Sequence, residues 1–347
     1  MILDKKFIVL EILFWLSLIV SIFFIYQIYF VNPILLKSNN EQKIISINGE
    51  TMGSTYSVKY LSGDDSEIKN KKIIEDILTD INQQMSHYII DSEISLFNSL
   101  NDTTWFDISE EFAYVVSSSY KYHSISNGLY DITVMPLVNL WGFGPEDFSN
   151  PPNQTAIDSV LSFVGQDLIE IDKDKIRKKD PRVQIDLSSI AKGYAVDKII
   201  EYLNYEDIMV EIGGEVRVKS KNKVWKIGIN TPSIENFNND IEHIVTLDNS
   251  SLATSGNYRN FYIDENNFYH HEISPLSGYP IKSNLGSISV LTVTSCMEAD
   301  GLSTALYMMN MNEITNFFNN SDFEGLMIVA NEDNSFDKIF SENFPKD

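Results

Sequence analysis

Residues 185–198 read IDLSSIAKGYAVDK, and the class of fold turns on how this stretch is divided. Its first part predicts a strand that ends at Asp186, and its second part predicts a helix. A helix N-terminus here would offer unpaired N–H groups and the positive end of the dipole to a phosphate, with Lys192 as a mobile positive charge. The alternative is an ordinary helix start capped by Asp186 or Ser188. Strand-like runs lie further on at 208–212 (IMVEI), 224–229 (VWKIGI), 287–293 (SISVLTV) and 325–330 (GLMIVA), separated by Gly, Pro and Asn. Upstream, Ile74, Ile77, Leu78, Ile81 and Met85 recur at helical spacing, as do Phe112, Val115, Val116 and Tyr120. The chain therefore mixes helices and strands, as α+β or α/β. Charge- and Asn-rich stretches at 62–72, 172–181 and 233–242 are predicted to be surface loops.

With 347 residues, 43% of them hydrophobic, the chain can bury a large core and is not a disordered one. Its formal net charge of -23 repels a phosphate backbone, so no nucleic-acid partner is expected. A small anionic ligand is still compatible with it, because a lysine, backbone donors and a cation can reverse the field inside one pocket. From Ile12 to Phe30 the sequence is almost wholly apolar, long enough at ~1.5 Å per residue to span a bilayer core. Lys5 and Lys6 precede it, which predicts a single-pass anchor (residues 1–31) with the remainder outside the cytoplasm. No Ala occurs before Ala113, which argues against a cleaved leader, and the single cysteine, Cys296, excludes an internal disulfide. A linker (32–45) then leads to one domain (46–347).

Other segments pair small residues with polar ones. GETMGSTYSV (49–58) places Gly53 where backbone could approach a ligand or simply turn into a strand. In the 128–145 stretch, Tyr130, Trp141 and Phe143 could flank a planar ring or pack in a core. In CMEADGLSTAL (296–306), Asp300 and Thr304 would share one helix face and could present a carboxylate and a hydroxyl to one cation, or could cap the helix. His87 reads as a surface residue rather than a base. The stretch HHEISPLSGYP (270–280) holds the best general-base candidate, a histidine beside a Pro-Gly turn.

Taken in order, ETMGSTYSV, DSEISLFN, YDITVMPLVNLWGFGP, IDLSSIAKGYAVDK, EIGGEVRV, TSGNYRNFY, HHEISPLSGYP and ADGLSTAL resemble the FAD:protein FMN transferase family from about Gly49 to Met309. The resemblance implies an α+β, T-fold-like domain with antiparallel sheets and packed helices. It also implies Mg²⁺-dependent transfer of FMN from FAD to a Thr or Ser hydroxyl of an acceptor flavoprotein, such as a membrane redox subunit, with release of AMP. By the same resemblance Met52, Tyr88, Leu129, Tyr130, Asp131, Asp186, Lys192 and Ile273 would contact FAD. Ser189, through its hydroxyl or carbonyl, would hold the metal with Asp300 and Thr304, and His271 and Lys192 would be catalytic.

Two positions depart from the family pattern. Ser274 stands where its His-x-x-Asp-Pro stretch has Asp, which removes a carboxylate that could support the histidine. The lipid-anchoring cysteine is also missing, and the apolar segment would replace it. Two rival activities use the same residues: FAD binding and delivery without transfer, and Mg²⁺-dependent FAD pyrophosphatase action giving FMN and AMP.

Overall fold

The computed structural model describes residues 5–27, 43–63, 66–146, 148, 150–233, 240–258, 260–265, 267–331, 333 and 335–346. The chain divides into two units, one of residues 1–43 with 62–65 and the other of 44–61 with 66–347. In the first, Lys5–Tyr26 forms a 22-residue helix. Its described apolar side chains, from Leu13 to Tyr26, are exposed. Among the described residues no helix is long and apolar enough to cross a membrane. The outer ends of the expected anchor, 1–4 and 28–31, and most of the expected linker lie outside the described residues.

In the second unit, alternation of side chains across strands organises the fold. Eight strands form one sheet in which spatial order follows chain order: Lys43–Thr51, Ser54–Ser62, Ile208–Ile212, Glu215–Lys219, Ser251–Gly256, Leu285–Thr292, Glu324–Ala330 and Phe336–Phe340. From the second strand onward, neighbours pair antiparallel. Val58, Val210, Ile288 and Met327 point into the larger core, shared with helices. Met209, Val216, Leu252 and Ile328 point the other way, where the hairpin Trp225–Asn230 and Ile241–Leu247 covers them. The fold is thus a mixture of helices and antiparallel sheet.

The helices on the larger core follow their apolar spacing. Glu67–Met85 buries Ile74, Leu78, Ile81 and Met85, and Glu110–Ile125 buries Phe112, Val115 and Val116. Two more helices, Ala191–Leu203 and Cys296–Tyr307, pack at unusually short range. A Cβ added at Gly193 would stand 2.5 Å from the Cys296 carbonyl oxygen and 2.7 Å from Asp300 Cβ, so only glycine permits this approach.

The structure corrects four local expectations. The predicted loop 62–72 contains the start of the helix Glu67–Met85, whose charges face solvent and pair four apart, as Lys72 does with Asp76 at 2.7 Å. The predicted loop 172–181 contains the strand Lys175–Lys178, and 233–242 runs into the strand at Ile241, with 234–239 outside the described residues. Charge density hid these elements because each buries only alternate or every third or fourth residue. Finally, there is no strand at Asp186: its carboxylate accepts the Ser188 N–H at 2.8 Å in a local turn, and the helix begins at Ala191 after Ile190, without a side-chain cap.

Candidate functional site

The crossing at Gly193 brings the chemistry-bearing residues together. The Gly193 N–H donates to Asp300 Oδ2 at 2.8 Å, so a carboxylate from one helix satisfies a first-turn donor of another. Asp300 is only 3% exposed. Burial, and next the charge of Glu215, push its carboxyl well above the usual range, while Lys192 and the Gly193 bond act in the opposite direction. Lys192 Nζ lies 2.7 Å from Glu215 Oε2, and Glu215 is itself buried at the start of its strand. Gly213 and Gly214, at φ 62° and 112°, make the tight turn that returns the chain so that Glu215 faces Lys192.

These groups border a cleft of about 480 Å³, a volume suited to a small ligand. Met52, Leu129, Tyr130, Asp131, Asp186, Lys192 and Ile273 all line it, as do Ser189, Asp300, Thr304 and His271. Tyr88 does not: it is exposed and lines an adjoining cavity of about 650 Å³, which shares Met52, Asp186, Lys192 and His271 with the first. Met52 enters both cavities from a two-residue hairpin turn at φ 50°, followed by Gly53 at φ 69°. Both residues lie in the left-handed region that such a turn requires.

Lining residues differ in how free they are. The Asp131 carboxylate points inward, accepting from Thr133 N at 2.8 Å, Thr133 Oγ1 at 2.6 Å and Gln166 N at 2.7 Å. It therefore shapes the wall from behind. Trp141 is core, 1% exposed with its indole N–H on the Gly278 carbonyl at 2.7 Å; Phe143 lines the adjoining cavity instead. Ser189 donates to the Tyr130 hydroxyl at 2.9 Å, and Thr304 shares a 3.0 Å bond with Ser255, which also bonds Ser303 at 2.8 Å.

His87 is not the surface residue its loop suggested. Its side chain is 8% exposed, with Nδ1 3.5 Å from Asp186 Oδ1. Burial works against its charged form, but the bond to Asp186 and that residue's charge together raise its pKa. Asp186 moves the other way: burial opposes ionisation, yet His87 and Ser188 together hold its carboxyl below the usual range. The two shifts agree on an ion pair.

The 270–280 stretch separates its two histidines. His270 is buried, with Nε2 2.7 Å from the Ile281 carbonyl and Nδ1 accepting the Glu272 N–H at 3.3 Å. Burial lowers its pKa to about 4, so it is a neutral structural group. His271 reaches the cleft. Ser274 is 5% exposed and its hydroxyl accepts the Ser277 N–H at 3.2 Å, closing the Pro-Gly turn. Ser274→Ala is expected to lower stability by about 1 kcal/mol in chemical unfolding, and Ser274→Asp, which keeps an acceptor, by less.

Glu215, Ser255 and Glu272 are cleft residues to which sequence patterns gave no role. Their signal was weak: each sits in a short Gly-, Ser- or His-rich stretch with nothing to show that it turns inward. Among the described residues, no group of three or more His, Cys, Asp or Glu side chains is gathered to hold a metal. One buried carboxylate with hydroxyls beside it suits a hard cation that takes its remaining ligands from phosphate and water.

A mixed antiparallel domain whose cleft sets a lysine and buried carboxylates beside hydroxyls, with an apolar annex, has the chemistry to take a phosphorylated ligand. Residues 52–327 match the ApbE family, and the chain belongs to it. It is 40% identical over 331 residues to a FAD:protein FMN transferase of Haemophilus influenzae, covering 90% of this chain and 94% of that one. A FAD:protein FMN transferase of Vibrio cholerae is 35% identical, with 86% and 91% covered. Among solved structures, the flavin transferase ApbE from Vibrio cholerae superposes with a TM-score of 0.79 at 34% identity, over 87% of this chain and 98% of that one. The apo form of a Pseudomonas stutzeri flavinyl transferase gives 0.75 at 32%, over 87% and 96%.

Proposed function

We propose that this protein is a membrane-tethered FAD:protein FMN transferase, which moves FMN from FAD to a Thr or Ser hydroxyl of an extracytoplasmic acceptor protein and releases AMP. The observation that carries this is the Lys192–Glu215–Asp300 arrangement in the cleft, with Lys192 shared by the adjoining cavity, in a chain related over most of its length to proteins of that name. Two connected compartments suit the two halves of a dinucleotide, and a lysine near their junction suits the pyrophosphate between them.

The residues fit a divalent cation, proposed as Mg²⁺. Asp300 would hold it with the Thr304 hydroxyl and with Ser189. When bound, it neutralises negative charge on the phosphates and so eases departure of AMP. Burial raises Asp300's proton affinity, so protons compete with the cation and acid pH weakens cation binding. Lys192, held by Glu215, adds a fixed positive charge, and the Asp186–His87 pair braces the wall between the cavities. His271 is the cleft's candidate to receive the acceptor hydroxyl's proton.

The test incubates the full chain with FAD and Mg²⁺, with and without a peptide carrying an acceptor Thr. A flavin-labelled peptide plus AMP supports transfer. Free FMN and AMP would make the protein a pyrophosphatase, and unchanged FAD a binder. The tether rests on the apolar run 12–30, the helix Lys5–Tyr26 and the lysines at its start. If deleting residues 1–31 leaves the protein in the membrane fraction, that part of the reading fails.

A further inference from the structure

His271 is held from both sides. Its Nδ1 lies 3.2 Å from the Asn260 carbonyl oxygen, a placement that favours the tautomer with the proton on Nδ1, since a carbonyl can only accept. Nε2 is left as the working nitrogen, and 3.5 Å from it stands Glu272 Oε1. The Glu272 side chain is 10% exposed, yet it borders the cleft. Its backbone is pinned, with the N–H on His270 Nδ1 at 3.3 Å and the carbonyl on the Ile281 N–H at 2.9 Å. Among the described residues its carboxylate forms no salt bridge except the one with His271. The neighbouring position where a carboxylate could have served, Ser274, is turned into its own loop.

Within the transferase reading of this cleft, we infer that Glu272 is the positioning residue for His271, and that the two side chains act as one proton acceptor for the attacking hydroxyl. A lone pair on Nε2 facing a carboxylate is electrostatically unfavourable, and a proton placed between them relieves it. Glu272 therefore orients the imidazole so that a proton arriving on Nε2 is shared with its carboxylate. As the acceptor oxygen forms its bond to the FMN phosphorus, its O–H bond breaks and the proton passes to Nε2. The bond from that phosphorus to the bridging oxygen breaks, its electron pair leaves on the AMP phosphate, and the pair later returns the proton to solvent. Lys192 and Asp186 also act on Glu272, with opposite signs, and the Tyr307 phenol and the neutral His270 lie close by. Burial raises the carboxyl of Glu272, which favours proton sharing over a bare charge.

The test uses Glu272→Gln in the full chain, assayed for FMN transfer to a Thr peptide across pH, beside ¹⁵N-imidazole titration of its five histidines. The expected result is a kcat lowered about 100-fold with KM for FAD within twofold. The pH profile of kcat and the His271 titration should both change, the other histidines staying in place. Glu272→Asp, which keeps the charge on a shorter arm, is expected to recover part of kcat; it also serves as the test variant if the Gln protein does not fold. An unmoved His271 titration, or a loss of thermal stability with kcat and pH profile intact, overturns the pairing. If wild type transfers no FMN while the titration still shifts, the pairing stands and the transferase reading falls.

Discussion

Asp300→Asn is expected to lower FMN transfer by about 10³-fold and, in the same protein, to raise the melting temperature measured in EDTA. Asn keeps the oxygen that accepts the Gly193 N–H at 2.8 Å, so the helix crossing survives. The variant loses a buried negative charge that faces Glu215. The sign follows from linkage. A carboxyl whose folded pKa is raised above its unfolded value contributes stability that is fully present below the unfolded value and lost as pH rises through the folded one. Wild type and variant should therefore unfold alike below the ordinary Asp value of 3.8, and the variant should gain as pH rises from there. At neutral pH the variant should be the more stable of the two and melt at the higher temperature. Adding Mg²⁺ should stabilise wild type and leave the variant unmoved, because only wild type binds the cation. A variant that transfers FMN at the wild-type rate would remove Asp300 from the metal site.

Lys192→Met should do the opposite to stability and the same to activity. Lys192 is paired at 2.7 Å with Glu215, whose side chain is 2% exposed. Removing the ammonium leaves a buried carboxylate without that partner, at a cost of about 3 to 5 kcal/mol by equilibrium unfolding. Transfer should fall by roughly 10² or more, since no fixed positive charge then faces the pyrophosphate. The double variant Lys192→Met with Glu215→Leu separates the two roles. It is expected to regain most of the stability and none of the activity. Full activity in the double variant would show that the lysine serves the fold alone.

Much of the architecture was legible from apolar spacing. Ile74, Leu78, Ile81 and Met85 mark a helix because a 3.6-residue period leaves one stripe to bury, and the run IMVEI marks a strand. Asp300 and Thr304 were placed on one face by their spacing of four, and both do border the cleft, while Ser295 rather than Asp300 caps that helix. Charge-rich segments were misread because a solvated helix or edge strand can carry as many charges as a loop. Asp186 was read as the end of a strand because its neighbours alternate, yet its carboxylate bonds the nearby Ser188 N–H instead.

Residue type and local period thus settled which segments fold as what, and which of them carry lysine, carboxylate and hydroxyl groups. Two matters waited on the tertiary structure: that Glu215 holds Lys192 and that His87 pairs with Asp186. The physical reason is separation along the chain. A period states which face of an element turns inward, but not which other element it will meet. Lys192 and Asp300 come together only because Gly193 lets two distant helices cross at backbone range. Adjacent histidines, identical in type, differ in burial: His270 turns Nε2 to the Ile281 carbonyl inside the fold, while His271 borders the cleft.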